Sequence, residues 1–143
     1  MRVRFRDTDM QGHVYFGNYF VFCDEALGAY MRAIGMPWQD MVKSGTDMFY
    51  VNASCDYLGS ARFEEDVHIE TRISKLGRSS VASTFVIRNS QGDTLANASV
   101  TSVCVDPKTR EKARVPDRLR EMVTAFEEGR DERGLDRDGL YRP

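Results

Sequence analysis

The chain has 143 residues, of which 41% are hydrophobic and 29% are charged, and its formal net charge is -2. This length predicts one domain with a hydrophobic core. The nearly balanced charge excludes the broad basic surface typical of nucleic-acid-binding proteins. Three widely spaced cysteines form no C-x-x-C pair, so the sequence supports neither a zinc site nor a disulfide framework. We expect reduced thiols, no metal and no cofactor.

The N-terminal sequence and the longest apolar stretch both argue against a membrane protein. The first residues read Met-Arg-Val-Arg-Phe-Arg and lack the apolar core of a secretory signal peptide. Residues 14–33 are rich in apolar side chains but include polar residues that a membrane-spanning helix rarely carries. These are Asn18, Asp24, Glu25 and Arg32. We therefore expect a cytoplasmic protein without membrane insertion.

The first part of the chain predicts a short strand, a loop and a long helix. Val3 and Phe5 alternate with arginines, which is typical of a strand with one apolar face. After a loop, Asn18 is a candidate N-cap for a helix over residues 19–34, and Gly35 ends that helix. The helix is apolar nearly all round, so we expect other parts of the protein to surround it.

The rest of the chain predicts an antiparallel sheet, a second helix and a tail. Four segments alternate apolar and polar residues, and their short linkers make them antiparallel neighbours. These predicted strands span residues 49–57, 67–74, 81–88 and 95–105. Pro116 opens a second helix. We predict one domain over residues 1–128 and a charged, mobile tail over residues 129–143.

This order of elements predicts an α+β architecture. One curved antiparallel sheet that wraps a single long central helix accommodates all of the elements. Such a sheet has exposed edges, and pairing with a second copy of the chain is one way to cover them.

The segment RDTDMQGHVYFGNYF, residues 6–20, places two aspartates immediately before the apolar helix. Acidic groups beside so much apolar surface are costly unless something satisfies or uses them. Free backbone N–H groups at a helix start can stabilise a developing oxyanion. Residues 15–19 would present such groups a few positions after Asp9. The segment therefore offers a carboxylate and an oxyanion site close together.

The pattern D-T-D-x-x-G-H-V-x-x-x-N-Y, residues 7–19, resembles the start of the hotdog-fold acyl-CoA thioesterases, and most closely the 4-hydroxybenzoyl-CoA thioesterase branch. The segments that begin at Asp56 and at Leu76 are similar to later parts of that family. The resemblance covers about residues 3–106. It implies a hotdog fold, hydrolysis of an acyl-CoA thioester, and a homodimer or homotetramer. Gly59 stands where that family often has a proline, which leaves the acyl group open.

The resemblance and the chemistry of the residues together give expected roles to individual positions. Asp9 is the expected catalytic carboxylate, in a cleft shared by two subunits, and is either the nucleophile or the general base for water. Asp7 is expected to be structural. The candidate assisting groups are His13, Asp24 and Glu25. A lone histidine beside a helix is more often structural, and the two carboxylates can instead form ion pairs or hydrogen bonds to the neighbouring subunit. The candidate cleft and oxyanion residues are Tyr15, Phe16 and Asn18. The candidate contacts to coenzyme A phosphates are Arg62, Gly77, Arg78 and Ser79.

Other functions compete with this interpretation. The D-x-D pair also opens the haloacid-dehalogenase motif of phosphotransferases, but that motif requires a preceding buried parallel strand, whereas Val-Arg-Phe-Arg alternates and is basic. A hotdog module that binds an acyl group without turnover shares the fold and differs only in the role of Asp9. An acyl carrier protein in place of free coenzyme A stays open as the substrate carrier.

Overall fold

A computed structural model describes residues 1–132, in which one long helix lies against a four-stranded antiparallel sheet. The sheet order is β1-β4-β3-β2, so β1 and β2 form its edges. The predicted pairing of successive strands is therefore wrong for β1, which pairs with β4 and not with β2. A 3-10 turn at Phe5–Asp7 precedes the regular elements. These elements are α1 (Asn18–Ala33), α2 (Trp38–Lys43), β1 (Asp47–Tyr57), β2 (Val67–Leu76), β3 (Ser80–Asn89), β4 (Thr94–Val105) and α3 (Asp117–Glu132). The predicted α+β architecture is confirmed.

The strand register defines two ends of the sheet. At one end Tyr57 of β1 lies opposite Ala96 of β4, and Ala96 lies opposite Ile87 of β3. At the other end Asp47 of β1 lies opposite Val105 of β4. We call these the Tyr57 end and the Asp47 end. The β2–β3 hairpin turns at the Asp47 end, because β2 finishes and β3 begins there.

Helix α1 packs one side onto the sheet and leaves the other side open. Buried residues recur along it at helical spacing, which gives a continuous apolar stripe. They are Tyr19, Phe22, Cys23, Leu27, Tyr30 and Met31. On the opposite side Val21 is 46% exposed, and Asp24 and Glu25, which flank it towards β1 and β2, are exposed as well. In a single chain the helix is therefore covered on one side only, rather than all round.

One carboxylate of helix α3 links that helix to α1 and to the sheet edge. Glu127 accepts a hydrogen bond of 2.7 Å from the Tyr30 hydroxyl of α1 and one of 2.6 Å from Arg72 Nε of β2. The Arg72 and Glu127 side chains are 22% and 13% exposed. A half-buried ion pair of this kind is poorly screened by solvent. Glu127 therefore connects three elements that are distant in sequence.

The predicted N-terminal strand is wrong. Only an isolated bridge between Arg2 and Asp66 forms there, and the chain then turns at Phe5–Asp7. The alternation is still visible in burial, since Val3 is 1% exposed and Phe5 is 79% exposed. The turn forms because the Asp7 carboxylate accepts hydrogen bonds from Arg4, which pulls the chain back on itself.

Three further differences concern helices. Gly17 is the N-cap of α1, and Asn18 is its first residue, so the predicted cap at Asn18 is wrong. Helix α2 was not predicted, because a six-residue helix shows too little periodicity. Helix α3 continues to Glu132, four residues beyond the predicted domain boundary. The rest of the predicted tail, residues 133–143, lies outside the described residues.

Replacing Glu127 tests the link between α3 and the sheet. We expect Glu127→Ala to lower the free energy of unfolding by about 2 kcal/mol, because hydrogen bonds to a charged group each contribute about 1.5–3 kcal/mol. Urea denaturation measures this loss. The control is Glu128→Ala, which removes the same charge from an exposed neighbouring position and should change stability little. Equal losses in the two variants would contradict a bridging role.

Candidate active site

The loop that precedes α1 is closed on Asp7. The Asp7 carboxylate is buried and accepts hydrogen bonds from Arg4 N, Nε and Nη2 at 2.8, 3.0 and 3.1 Å. Its backbone oxygen accepts one hydrogen bond from Tyr15 N and one from Asn18 Nδ2, both at 2.9 Å. The hydrogen bonds from Arg4 hold the pKa of Asp7 below its usual value. Asp7 thus has the structural role predicted for it.

Asp9 lies in the middle of this closed loop and has one carboxylate oxygen available. Its Oδ1 accepts a hydrogen bond of 2.9 Å from Gln11 N, and its backbone N–H donates to His13 O at 2.9 Å. Gly12 follows in the left-handed region at φ 76°, a conformation that glycine adopts without strain. Within residues 1–132 no donor binds Asp9 Oδ2. The loop therefore orients the Asp9 carboxylate through Oδ1 and leaves Oδ2 without a hydrogen bond from the described part of the protein.

Asp9 lines a cavity of about 200 Å³ at the Tyr57 end of the sheet. The loop, the start of α1 and the end of β1 all contribute to its wall. The lining includes Asp9, His13, Phe16, Tyr19, Tyr57 and Ser60. The structure thus brings His13 and Phe16 to Asp9, as the sequence predicts. Tyr15 stacks on the outside of Phe16, with 4.8 Å between ring centroids.

The start of α1 offers two backbone donors. The Tyr15 amide already donates a hydrogen bond to Asp7 O, and the Asn18 amide donates one to Tyr15 O. In the part of the chain that the structure describes, the N–H groups of Phe16 and Gly17 have no acceptor. Free donors of this kind are what an oxyanion requires. The candidate oxyanion amides are therefore those of Phe16 and Gly17, whereas the amides of Tyr15 and Asn18 are already engaged.

Tyr57 lies in the segment beginning at Asp56 that resembles the family, but it was not predicted as a site residue. Its hydroxyl donates a hydrogen bond of 2.9 Å to Phe16 O. Since a peptide group is planar, this bond also fixes the plane that carries the Gly17 N–H. Partial burial of the phenol, followed by its contact with Cys55, raises the pKa of Tyr57 to about 12. Tyr57 therefore stays protonated and donates at neutral pH.

Comparison with known proteins identifies the family. Residues 3–123 match the family profile described as the Thioesterase-like superfamily. The chain belongs to this superfamily. The resemblance noted in the sequence is thereby confirmed.

Individual relatives agree with this assignment. The chain is 29% identical to the acyl-CoA thioester hydrolase YbgC of Escherichia coli O6:H1 over 107 residues, 75% of this chain and 80% of that protein. It is 30% identical to the 1,4-dihydroxy-2-naphthoyl-CoA hydrolase of Nostoc punctiforme over 118 residues, 82% of this chain and 79% of that protein. The DHNA-CoA thioesterase of Staphylococcus aureus shares the fold, with a TM-score of 0.84 at 23% identity over 92% and 91% of the two chains.

The structure separates two predicted assisting carboxylates from Asp9. Asp24 lies on α1 against β1 and accepts a short hydrogen bond from the Tyr50 hydroxyl. Glu25 lies on another side of α1, in a groove that it shares with His68 of β2. Neither residue lines the Asp9 cavity. Among residues 1–132 of one chain, Asp9 is thus the only carboxylate that lines this cavity.

The predicted coenzyme A contacts fall at opposite ends of the sheet. The backbone of Arg62 forms an isolated antiparallel β-bridge with that of His13, so Arg62 lies near Asp9. Gly77, Arg78 and Ser79 make up the β2–β3 turn at the Asp47 end, where Gly77 O accepts a hydrogen bond of 2.8 Å from Arg120 Nη2. The Arg78 side chain is exposed. A ten-residue strand such as β2 spans roughly 33 Å, so these residues do not share one surface of a single chain.

Residues 1–132 also bear on two other classes of site. No cluster of histidine, cysteine, aspartate and glutamate there could hold a metal ion. None of the helices in that range combines the length and the apolar character needed to cross a membrane.

A second arginine–aspartate ion pair provides a control for the contribution of the Arg4–Asp7 pair to stability. Arg2 and Asp66 form an ion pair of the same geometry, but these side chains are 66% and 49% exposed. We expect Asp7→Asn to cost about 2 kcal/mol in unfolding free energy, because it weakens hydrogen bonds to a buried charge. Asp66→Asn should cost clearly less, since exposed pairs are weak.

The pH dependence of this loss has a definite sign. The pKa of Asp7 is lower in the folded protein than its usual value. Its contribution is therefore complete above the unfolded carboxyl pKa of about 3.9 and is lost as the pH falls through the folded value. The stability difference between wild type and Asp7→Asn should shrink below about pH 4, as urea denaturation at several pH values would measure. A difference that grows in acid would contradict this role.

Proposed function

We propose that the protein is an acyl-CoA thioesterase that hydrolyses a thioester to a carboxylic acid and free coenzyme A. The supporting observation is the cavity that holds Asp9 beside the start of α1, where Phe16 and Gly17 have unpaired N–H groups. A carboxylate and two amide donors are the groups that this reaction requires. Membership of the thioesterase-like superfamily and the names of the relatives support the same reaction.

In the proposed reaction the thioester carbonyl carbon is attacked and its oxygen becomes an oxyanion. Phe16 and Gly17 N–H donate hydrogen bonds to that oxyanion. As general base, Asp9 Oδ2 takes a proton from the attacking water. As nucleophile, Asp9 Oδ2 bonds to the carbonyl carbon and forms an anhydride, which water then hydrolyses. In both routes the C–S bond breaks, and the leaving sulfur takes up a proton to give free coenzyme A.

His13 and Tyr57 act on the same cavity in this proposal. His13 lines the wall next to Asp9 and can hold the attacking water by a hydrogen bond. Tyr57 acts as a positioning residue, since its hydroxyl fixes the Phe16–Gly17 peptide plane. The acyl group enters an environment of aromatic rings, with Tyr57 and Tyr19 centroids 5.3 Å apart.

We propose that the working unit is a dimer in which β1 pairs with β1 of a second copy. Strand β1 is a sheet edge, and nearly all of it is exposed, including Phe49, Tyr50 and Val51. An edge strand with exposed apolar residues is a template for pairing with another chain. A two-fold axis would make the two β1 strands antiparallel.

Such pairing also accounts for the separated coenzyme A residues. Antiparallel β1 strands would put the Asp47 end of one copy beside the Tyr57 end of the other. The Gly77–Ser79 turn of the second copy would then lie three to four strand spacings from Asp9, roughly 15–20 Å. In this arrangement Arg78 of one copy and Arg62 of the other contact the phosphates of one coenzyme A. The dimer would thus complete the substrate site.

The alternative is a module that binds an acyl group without turnover. The open access to Asp9 favours turnover, because a purely structural carboxylate at this position would be expected to have all of its oxygens satisfied, as Asp7 does. Binding of acyl-CoA without release of free thiol would favour the alternative.

Asp9→Asn is the decisive variant for catalysis. We expect kcat for thiol release from a panel of aliphatic and aromatic acyl-CoAs to fall by roughly a hundredfold or more, because an amide can neither attack nor accept the proton. The thermal stability should change little, since Asp9 makes a single side-chain hydrogen bond. Asp66→Asn serves as the control for loss of a carboxylate. Full activity in folded Asp9→Asn would remove Asp9 from the mechanism.

Val51→Lys tests the dimer. We expect the wild type to be dimeric in light scattering, and the variant to dissociate at least about tenfold more readily, because a charge enters the apolar edge. The matched control is Val42→Lys on α2, since Val42 is 53% exposed and Val51 is 59% exposed. If the site needs both copies, activity should fall with dissociation. A monomeric wild type with full activity would contradict the proposal.

A further inference from the structure

The contact between α1 and β1 forms a seam that leads away from the Asp9 cavity. Near the Tyr57 end, the rings of Tyr19 and Tyr57 lie 5.3 Å apart. Further along, Asp24 of α1 meets Tyr50 of β1. The helix thus runs antiparallel to the strand. Two more cavities follow along this seam, which places three cavities in one row.

The middle cavity, of about 100 Å³, is apolar. Its wall includes Phe20, Cys23, Leu27, Ala53, Phe85 and Val100. The Cys23 thiol adds no charge, because burial raises its pKa to about 12. Apolar walls offer no hydrogen bonds, so a polar occupant would be costly. An engineered apolar cavity of about 150 Å³ holds one benzene ring, so the middle cavity suits a smaller hydrocarbon group.

Asp24 and Tyr50 close the far side of the middle cavity. Both residues line it, and both also line the third cavity, of about 270 Å³, next to Trp38 and Met41. Partial burial, followed by the hydrogen bond to Asp24, raises the pKa of Tyr50. The Tyr50 hydroxyl is therefore protonated at neutral pH and donates to Asp24. The hydrogen-bonded pair separates the apolar space from the larger space beyond it.

We infer that the Asp24–Tyr50 pair is the end stop that limits the length of the acyl chain. The inference rests on the proposed function, which puts the thioester carbonyl at Asp9 and sends the acyl tail along the seam. Between Tyr19, which lines the Asp9 cavity, and Asp24 the helix rises roughly 7.5 Å, so only a short chain fits before the pair. A longer chain would have to separate the hydrogen-bonded groups and bury its tail against a carboxylate.

The chain-length profile tests this role. Each methylene that enters an apolar cavity strengthens binding about fourfold, so affinity should rise with length up to the stop and then fall. Tyr50→Ala should move the optimum to longer chains and raise kcat/KM for them by roughly tenfold or more. Ala53→Leu, which fills the middle cavity, should move the optimum to shorter chains. Phe5→Ala, at a 79% exposed aromatic residue away from the seam, should leave the profile unchanged.

The experiment uses two readouts on full-length protein. One is thiol release from straight-chain acyl-CoAs from acetyl to dodecanoyl. The other is calorimetric binding of the matching S-alkyl coenzyme A thioethers, which cannot be hydrolysed. Absence of thiol release from every substrate would overturn the proposed function, while the thioether profile would still decide the end stop. Circular dichroism and light scattering check that each variant is folded and keeps its oligomeric state.

Three outcomes would overturn the end stop. They are identical thioether profiles in wild type, Tyr50→Ala and Ala53→Leu, a wild-type affinity that keeps rising to dodecyl, and failure of the wild type to bind any thioether. Asp24→Asn is a milder variant that keeps the shape of the pair. It should relax the length limit less than Tyr50→Ala does, because the hydrogen bond weakens but the ring remains.

Discussion

A buried carboxylate is stable only when hydrogen-bond donors satisfy it. The three donors to the Asp7 carboxylate, one backbone amide and two guanidinium nitrogens, all belong to Arg4, three residues earlier. Because Asp7 is held in this way, its backbone oxygen lies where the amides of Tyr15 and Asn18 both reach it. The chain between the 3-10 turn and α1 is thereby closed into a loop. The hydrogen bonds of Asp7 thus position Asp9, although the Asp9 side chain takes no part in them.

The fold was largely predictable where a pattern repeats often enough. The four strands of 10 to 12 residues come from segments that alternate apolar and polar residues, so their existence could be inferred within a few residues. Their pairing could not, because linker length gives no sign that β1 pairs with β4 rather than with β2. The N-terminal segment has only two apolar positions, Val3 and Phe5, and the Asp7 carboxylate decides its shape instead. At Asn18 the side chain prefers the oxygen of Asp7 to the amides of its own helix. Local sequence does not encode that choice.

The candidate site divides in the same way. Asp9, His13 and Phe16 lie within one short loop, so a motif brings them together without knowledge of the fold. Tyr57 reaches them only through the packing of α1 on β1, which a motif cannot show. Asp24 and Glu25 are adjacent in sequence, yet each helical residue turns by about 100°, which directs them to different sides of α1. Sequence proximity was therefore misleading for these two carboxylates.

The protonated thiol of Cys23 has a consequence for side reactions. Thiolates, rather than thiols, attack thioesters and disulfides. Burial raises the pKa of Cys23 to about 12, so the thiol stays protonated at pH 7. An acyl group lodged against Cys23 would therefore not transfer to its sulfur. Burial would thereby let a thiol line the proposed acyl pocket without side reactions.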